Sequence, residues 1–202
     1  RLYNLTSKTT ISSTILNKYY SGLCNCHNNY ITCQNIKNNK QQSIICFMYI
    51  HDTNNIEMKI YELENFREKE FNYLWNNIGF LEINSAKGII KQNEKILMVT
   101  NGLFWAGYDI FESNYTFYQG NIQLINGCSI ISYVNISFFN ETEEFIVYFT
   151  GNCYINGNQN KFIFIYSFDE NFNASLFGTV RPFSLWDSKR CCSPFNFINN
   201  NN

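Results

Sequence analysis

The chain has 202 residues, and its 15 Lys and Arg against 16 Asp and Glu give a formal net charge of −1. A nucleic-acid partner is not expected, because phosphate binding requires concentrated Lys and Arg and the sequence has no basic run. The sequence also lacks the apolar run of about 18 residues that a membrane-spanning helix needs, so we expect no membrane insertion by this segment.

The first 42 residues predict little regular structure. Residues 1–20 are rich in Ser, Thr and β-branched side chains, which favour a strand exposed on one side. Residues 21–42 are polar and dense in turn-forming residues, so we predict a loop that needs disulfide bonds to hold it. The chain begins at Arg1 without a signal-like apolar segment, and we expect a mature or trimmed ectodomain.

A hairpin is predicted after this loop. Residues 43–50 form a short apolar run bounded by polar residues, which predicts a buried strand. Apolar and charged residues alternate over residues 56–61, which predicts a half-exposed strand. The two strands are close in sequence, so we expect them to pair.

Residues 62–77 predict the one amphipathic helix of the chain. Phe71, Leu74 and Trp75 continue an apolar stripe at three- and four-residue spacing. Glu residues occupy the first turn, where the helix dipole favours them, and Gly79 is placed to end the helix. We expect this stripe to pack on a sheet.

From residue 94 onward the sequence predicts a series of short strands. Apolar runs are separated by Asn-Gly pairs that begin at residues 101, 126 and 156, and Asn-Gly favours the type I′ turns of β-hairpins. Between residues 127 and 168, three longer runs predict adjacent strands. In the first of these runs Val134 and Ile136 fall on the core face and Asn135 on the other. The third run has apolar residues on both faces, which predicts a central strand.

The predicted fold is therefore mainly β, an antiparallel meander that forms a sandwich or an open barrel, with a propeller fragment as a third arrangement. It carries one helix at about 62–77 and irregular ends tied by disulfide bonds. We treat residues 1–202 as a single β-rich ectodomain. Its possible subdivision is a smaller α+β part over residues 1–90 and a β-meander over residues 91–202.

Eight cysteines indicate a disulfide framework and an oxidising compartment, because most of them lie beside Asn, Gly, Ser or His rather than in apolar runs. Cys128 and Cys153 are candidates to bond to each other or to the pair near the C-terminus. A zinc site is the alternative, from Cys24, Cys26, His27, Cys33, Cys46 and His51, but their spacing is not that of a zinc finger or ribbon. The predicted disulfide cysteines are Cys24, Cys26, Cys33, Cys46, Cys128, Cys153, Cys191 and Cys192.

Five N-x-S/T sequons predict N-glycosylation, at Asn4, Asn114, Asn135, Asn140 and Asn173. Asn140 lies in a predicted turn and Asn173 in a predicted loop, where a glycan would not disturb the core. Cysteines, sequons, short aromatic strands and Asn/Gly turns together are similar in character to the ectodomains of viral or protozoan surface glycoproteins. No motif extends that resemblance to a family.

Catalytic motifs are absent from the sequence. It has no Walker loop, no G-x-G-x-x-G, no calcium loop and no G-x-S-x-G elbow, so we expect no cofactor and no metal. A catalytic triad would have to use His27 or His51. A carboxylate pair for glycoside cleavage would be Asp109 with Glu112, or Asp169 with Glu170, and we interpret the second pair as a solvated turn.

Aromatic residues make up 18% of the chain, and several lie beside Gly and polar residues, where interface or sugar-stacking rings occur. The candidate binding residues are Phe104, Trp105, Tyr108, Tyr115, Tyr118 and Trp186. We therefore expect a secreted or surface-exposed, non-catalytic glycoprotein module that binds a host protein or glycan receptor, alone or within a larger chain or oligomer. The alternatives are a structural or shielding domain and a secreted hydrolase.

Overall fold

The computed structural model describes residues 2–4, 9–12, 31–38, 41–50, 54–62, 68–76, 82–111 and 114–180. Its strands are β1 Leu2–Asn4, β2 Thr9–Ser12, β3 Ile31–Asn38, β4 Gln41–Ile50, β5 Asn55–Glu62, β6 Glu68–Trp75, β7 Ile83–Ile90, β8 Asn93–Thr100, β9 Phe104–Phe111, β10 Asn114–Asn121, β11 Cys128–Phe139, β12 Glu144–Ile155, β13 Asn158–Phe168 and β14 Ala174–Val180. Within these ranges there is no helix, and so none that could span a membrane.

Three four-stranded antiparallel sheets make up most of the described chain. The first sheet contains β3 to β6, the second β7 to β10 and the third β11 to β14, and in each sheet every strand pairs with the next along the chain. β1 and β2 form a separate pair. The prediction of a mainly β, antiparallel fold is confirmed. The structure describes three four-stranded sheets, whereas a sandwich has two. In each of the three, the first and last strands pair with only one neighbouring strand.

The second sheet lies between the other two, because its strands bury apolar side chains on both faces. On β8, Ile96 and Met98 belong to a core shared with the first sheet, whereas Leu97 and Val99 belong to a core shared with the third. This division follows from the two-residue period of a strand, which points successive side chains to opposite faces. We call these two cores the first interface and the second interface.

Polar side chains connect the first strands of the three sheets. The hydroxyl oxygens of Thr32 and Ser85 lie 2.7 Å apart, and Gln34 Nε2 donates to the carbonyl of Ser85 at 3.0 Å and to its Oγ at 2.9 Å. On the other side of β7, Asn84 Nδ2 donates to the carbonyl of Val134 at 2.6 Å. β7 is therefore bonded to both β3 and β11, so the first strands lie side by side.

Two disulfide bonds cross adjacent strands within the described residues. Cys33 of β3 is bonded to Cys46 of β4, and Cys128 of β11 to Cys153 of β12, in each case between directly opposite residues. The prediction of disulfide bonds is confirmed. Cys153 lies within strand β12. The predicted cysteines 24, 26, 191 and 192 lie outside the described residues.

The predicted helix over residues 62–77 is wrong where the structure describes it. Glu68–Trp75 is strand β6, which pairs antiparallel with β5. The predicted hairpin of residues 43–50 and 56–61 is confirmed as β4 and β5. The second of these strands was expected to be half-exposed, but Glu57 and Lys59 are only 3% and 4% exposed. The sequence pattern therefore predicted the pairing of β4 with β5 correctly, but it did not predict that the charged side chains of β5 are buried.

Candidate functional site

The aromatic residues that the sequence nominated for binding do not form one patch. Phe104, Tyr108 and Tyr115 lie toward the first interface, where Tyr108 is 1% exposed and packs on Phe47 with ring centroids 5.5 Å apart. Trp105 and Tyr118 lie toward the second interface, where both contact Phe172. Trp186 lies outside the described residues. Most of these rings therefore stabilise contacts between sheets.

Phe172 belongs to the loop between β13 and β14, residues 169–173, which docks on the second sheet. Its ring is 1% exposed and lies 6.4 Å from the ring of Trp105, 5.4 Å from that of Tyr118 and 6.2 Å from that of Phe145. Gly107 makes room for it, because an added Cβ there would lie 2.5 Å from Cγ of Phe172. This loop was predicted from sequence, but its buried ring was not.

Asp169 holds the loop in shape. Its Oδ1 accepts hydrogen bonds from the backbone N–H of Asn171 and of Asn173, both at 2.8 Å, and its Oδ2 accepts from Nδ2 of Asn173 at 2.9 Å. Desolvation by burial raises the pKa of Asp169, but these bonds and the charge of Lys95 outweigh it, so that the net pKa lies below the ordinary Asp value. The carboxylate therefore stays ionised and acts as a structural acceptor.

Lys95 provides the main polar contact of the second interface. The side chain is 8% exposed, and its Nζ donates to Oδ2 of Asp109 and to the carbonyl of Glu170, both at 2.7 Å. The ammonium group also lies 5.4 Å from the centroid of the Phe172 ring. Glu170 forms an ion pair with Lys91.

These contacts bear on the carboxylate pairs considered for glycoside cleavage. Asp169 and Glu170 are both engaged in structural contacts, and Glu112, the predicted partner of Asp109, lies outside the described residues. Across the described part of the chain, no three His, Cys, Asp or Glu side chains come together as a metal site. Of the six residues weighed for zinc, Cys33 and Cys46 are bonded to each other.

An exposed apolar surface lies at the end of the third sheet where β12 turns into β13. Tyr154, Ile155 and Ile125 are 63%, 47% and 44% exposed. Asn156 and Gly157 form the turn, both with positive φ, as a type I′ hairpin requires. We call these five residues the hairpin-end surface.

Backbone bonds and a disulfide hold the hairpin-end surface in place. The N–H of Tyr154 donates to the carbonyl of Gly127 at 3.0 Å, and the N–H of Cys128 donates to the carbonyl of Ile125 at 3.1 Å. The Cys128–Cys153 bond lies directly beside Tyr154. The exposed side chains are therefore presented on a constrained backbone, which lowers the entropy lost on binding.

The chemistry of this surface suits recognition of a neutral partner. Residues 150–160 carry no charge and supply side-chain amides beside the exposed Tyr154 ring. A ring with a polar hydroxyl and neighbouring amides is the combination used in protein interfaces and in sugar stacking. The Asn-Gly turn was the sequence signal for this hairpin, but exposure of the two residues before the turn was not predicted.

The described sequons lie away from the hairpin-end surface. Asn140 is exposed in the turn between β11 and β12, and Asn173 is exposed in the loop after β13, both as predicted and both at the opposite end of the third sheet. Asn135 lies on the face opposite Val134, as predicted, and its Nδ2 donates to the hydroxyl of Tyr148 at 2.8 Å. The side chains of Asn4 and Asn114 are not described.

Comparisons of the chain with known proteins add no family to this description. No protein-family model matches the sequence. No curated protein is similar to it at a significant level either.

Proposed function

We propose that the chain is a non-catalytic extracellular module of a viral or protozoan surface glycoprotein, and that its hairpin-end surface binds a host protein or glycan receptor. The observation that carries the proposal is the 63% exposure of Tyr154 on a backbone braced by a disulfide, with Ile155 and Ile125 also exposed at the same end of the third sheet. Exposed apolar side chains that lie close together on a rigid backbone are candidates for contact with a partner. Glycans at Asn140 and Asn173 would leave this end free.

An oxidising compartment is part of the proposal. Two cross-strand disulfides support it, since such bonds persist mainly in secreted and surface proteins. The mass of the purified chain, measured before and after reduction, tests this point: four disulfides predict a gain of eight hydrogens. A chain isolated under non-reducing conditions with all of its thiols free would contradict it.

We further propose that the three sheets are consecutive blades of a β-propeller. Each is a four-stranded meander, neighbouring sheets pack face to face, and their first strands lie side by side, which is the arrangement of propeller blades. In this arrangement the hairpin-end surface belongs to the loops at one end of the blades. Such loops are where recognition residues concentrate on a rigid scaffold.

The binding proposal is tested by screening the glycosylated, oxidised chain against a glycan array and a library of cell-surface proteins. We expect a specific ligand whose binding is lost in Tyr154→Ala and retained in Phe139→Ala. Phe139 is the matched control, because it is a 42% exposed ring at the opposite end of the third sheet. Binding that persists in Tyr154→Ala would place the site elsewhere. Silence in both screens would favour the shielding domain.

A further inference from the structure

The outer strands of the three sheets occupy equivalent positions but differ in how their free edges are protected. β6, β10 and β14 are each the last strand of their sheet, and each pairs with one strand among those described. A free edge exposes unpaired backbone N–H and C=O groups that can bond to another strand. Proteins usually protect such edges with charges, prolines, bulges or a covering segment.

Two of the three edges carry a protective feature. β6 begins with Glu68, Lys69 and Glu70, and its pairing with β5 shifts register twice. β14 has no charge, but its pairing with β13 shifts register between Ile165 and Tyr166, which leaves Phe177 as an extra residue. A bulge of this kind twists an edge and interrupts its ladder of bonds.

Within the part of the chain that the structure describes, β10 has none of these features. Its sequence, NYTFYQGN, contains no charge and no Pro, and all of its residues pair with β9 in one continuous register. Phe117 and Tyr118 are 39% and 37% exposed at the centre of this strand. Successive side chains alternate in direction, so one ring lies on each face of the edge.

The two exposed rings are already ordered by contacts within their own molecule. The ring of Phe117 lies 5.2 Å from that of Tyr108, and the ring of Tyr118 lies 5.4 Å from that of Phe172. A second strand laid along β10 would therefore cover rings that lose little rotamer freedom. It would also satisfy the unpaired backbone groups of the edge and continue the established ladder from β7 to β10.

We propose that β10 pairs antiparallel with β10 of a second copy of this chain, which joins two second sheets into one continuous eight-stranded sheet. β10 is itself an extended strand without charge, so a second copy would place no charged side chain against the rings of Phe117 and Tyr118. The two copies would be related by a two-fold axis perpendicular to the sheet. Phe117 and Tyr118 of one copy would then lie across from, or diagonal to, aromatic residues on β10 of the other copy. The proposal is independent of the hairpin-end surface.

The test is sedimentation velocity of the oxidised chain over a wide range of concentration. We expect a concentration-dependent dimer that is abolished by Phe117→Lys and by Tyr118→Lys, because a charge at a free edge opposes pairing. Phe177→Lys on β14 is the matched control and should dimerise as the unaltered chain does. A monomer at every concentration both in the unaltered chain and in Asn114→Gln, which lacks the glycan site at the start of β10, would overturn the proposal, as would equal loss of the dimer in Phe177→Lys.

Hydrogen exchange provides a measurement that needs no substitution. On concentration of the unaltered chain, amide exchange should slow along β10 and stay unchanged along β6 and β14. Slowing along another edge without slowing along β10 would show that dimers form elsewhere. The Asn114 sequon opens β10, so the same measurements on Asn114→Gln remove any effect of a glycan. A dimer in Asn114→Gln alone would support the pairing and identify the glycan as a block to it.

Discussion

The first and second interfaces join neighbouring sheets of the same topology but differ in their chemistry. The first is mostly aliphatic, with Phe47, Tyr49 and Tyr108 as its buried rings. The second contains six such rings, at Phe145, Phe149, Phe164, Tyr166, Phe168 and Phe172. One of these six, Phe172, comes from a loop rather than a strand. The stability of the second interface therefore depends on one connection keeping its shape, whereas that of the first is spread over strands.

Loss of the Phe172 ring should have the largest effect. Phe172→Ala removes a fully buried ring between three others, and we expect the free energy of unfolding to fall by about 3–5 kcal/mol. Urea denaturation followed by near-ultraviolet circular dichroism measures this loss. Phe177→Ala, at a ring 72% exposed, should change stability by less than about 0.5 kcal/mol. Equal effects in the two variants would contradict the docking of the loop.

The ion pair should come next in size. Lys95→Met leaves the Asp109 carboxylate half-buried without its cation and removes the bond to the carbonyl of Glu170, which should cost about 3 kcal/mol. The double variant Lys95→Met, Asp109→Leu should recover most of this loss, because no uncompensated charge remains. Thermal denaturation of both variants measures the difference. A double variant no more stable than the single one would argue against the pair.

Gly107→Ala should be less costly, at about 2 kcal/mol, because the added Cβ forces the Phe172 ring to move. In a Phe172→Ala background the same change should cost little, and this double-mutant cycle isolates the contact. Gly178→Ala is the control, since nothing lies within 4 Å of the Cβ it would add. Additive losses in the cycle would contradict the close approach.

A matching test at the first interface should give a smaller effect. Gln34→Ala removes the two bonds to Ser85 and should lower the free energy of unfolding by about 1 kcal/mol. Chemical denaturation measures this loss, with Asn158→Ala on an exposed hairpin as the control. A loss as large as that of Phe172→Ala would remove the contrast between the interfaces.

The smallest effect concerns pH. The pKa of Asp169 is lower in the folded state, so its contribution to stability is complete above the ordinary pKa of Asp and is lost as the pH falls through the lowered value, below about pH 4. Asp169→Asn should weaken the pH dependence of unfolding in this range, measured by urea titrations at several pH values. An unchanged slope would mean that the loop bonds do not depend on the charge.

The sequence predicted strands best where both faces of a strand show the two-residue period. Val134 and Ile136 on β11 alternate with Asn135, and burial follows that alternation. The period failed at β6, because Leu74 and Trp75 suit a helical stripe as well as a strand, and pairing with β5 decides between them. Strand β14 was not predicted, because its apolar residues are exposed and do not alternate between a buried and an exposed face.

The turn residues in the sequence did not indicate where one sheet ends and the next begins. Asn101-Gly102 lies in a hairpin within the second sheet, whereas Asn126-Gly127 leads from the second sheet to the third. The turn at Lys91 and Gln92 has positive φ at both residues with neither Asn nor Gly. The hairpin-end surface was equally hidden, because exposure of Tyr154 depends on where the core ends and not on local sequence.

Both described disulfides close a loop inside a single hairpin, with sequence separations of 13 and 25 residues. Each can therefore form under oxidising conditions as soon as its own two strands have paired, before the other sheets fold. Among the described cysteines, no bond awaits a distant partner, so oxidative folding can proceed sheet by sheet from the N-terminal side. For these four cysteines, correct pairing therefore depends on the register of a single hairpin and not on the packing of one sheet against another.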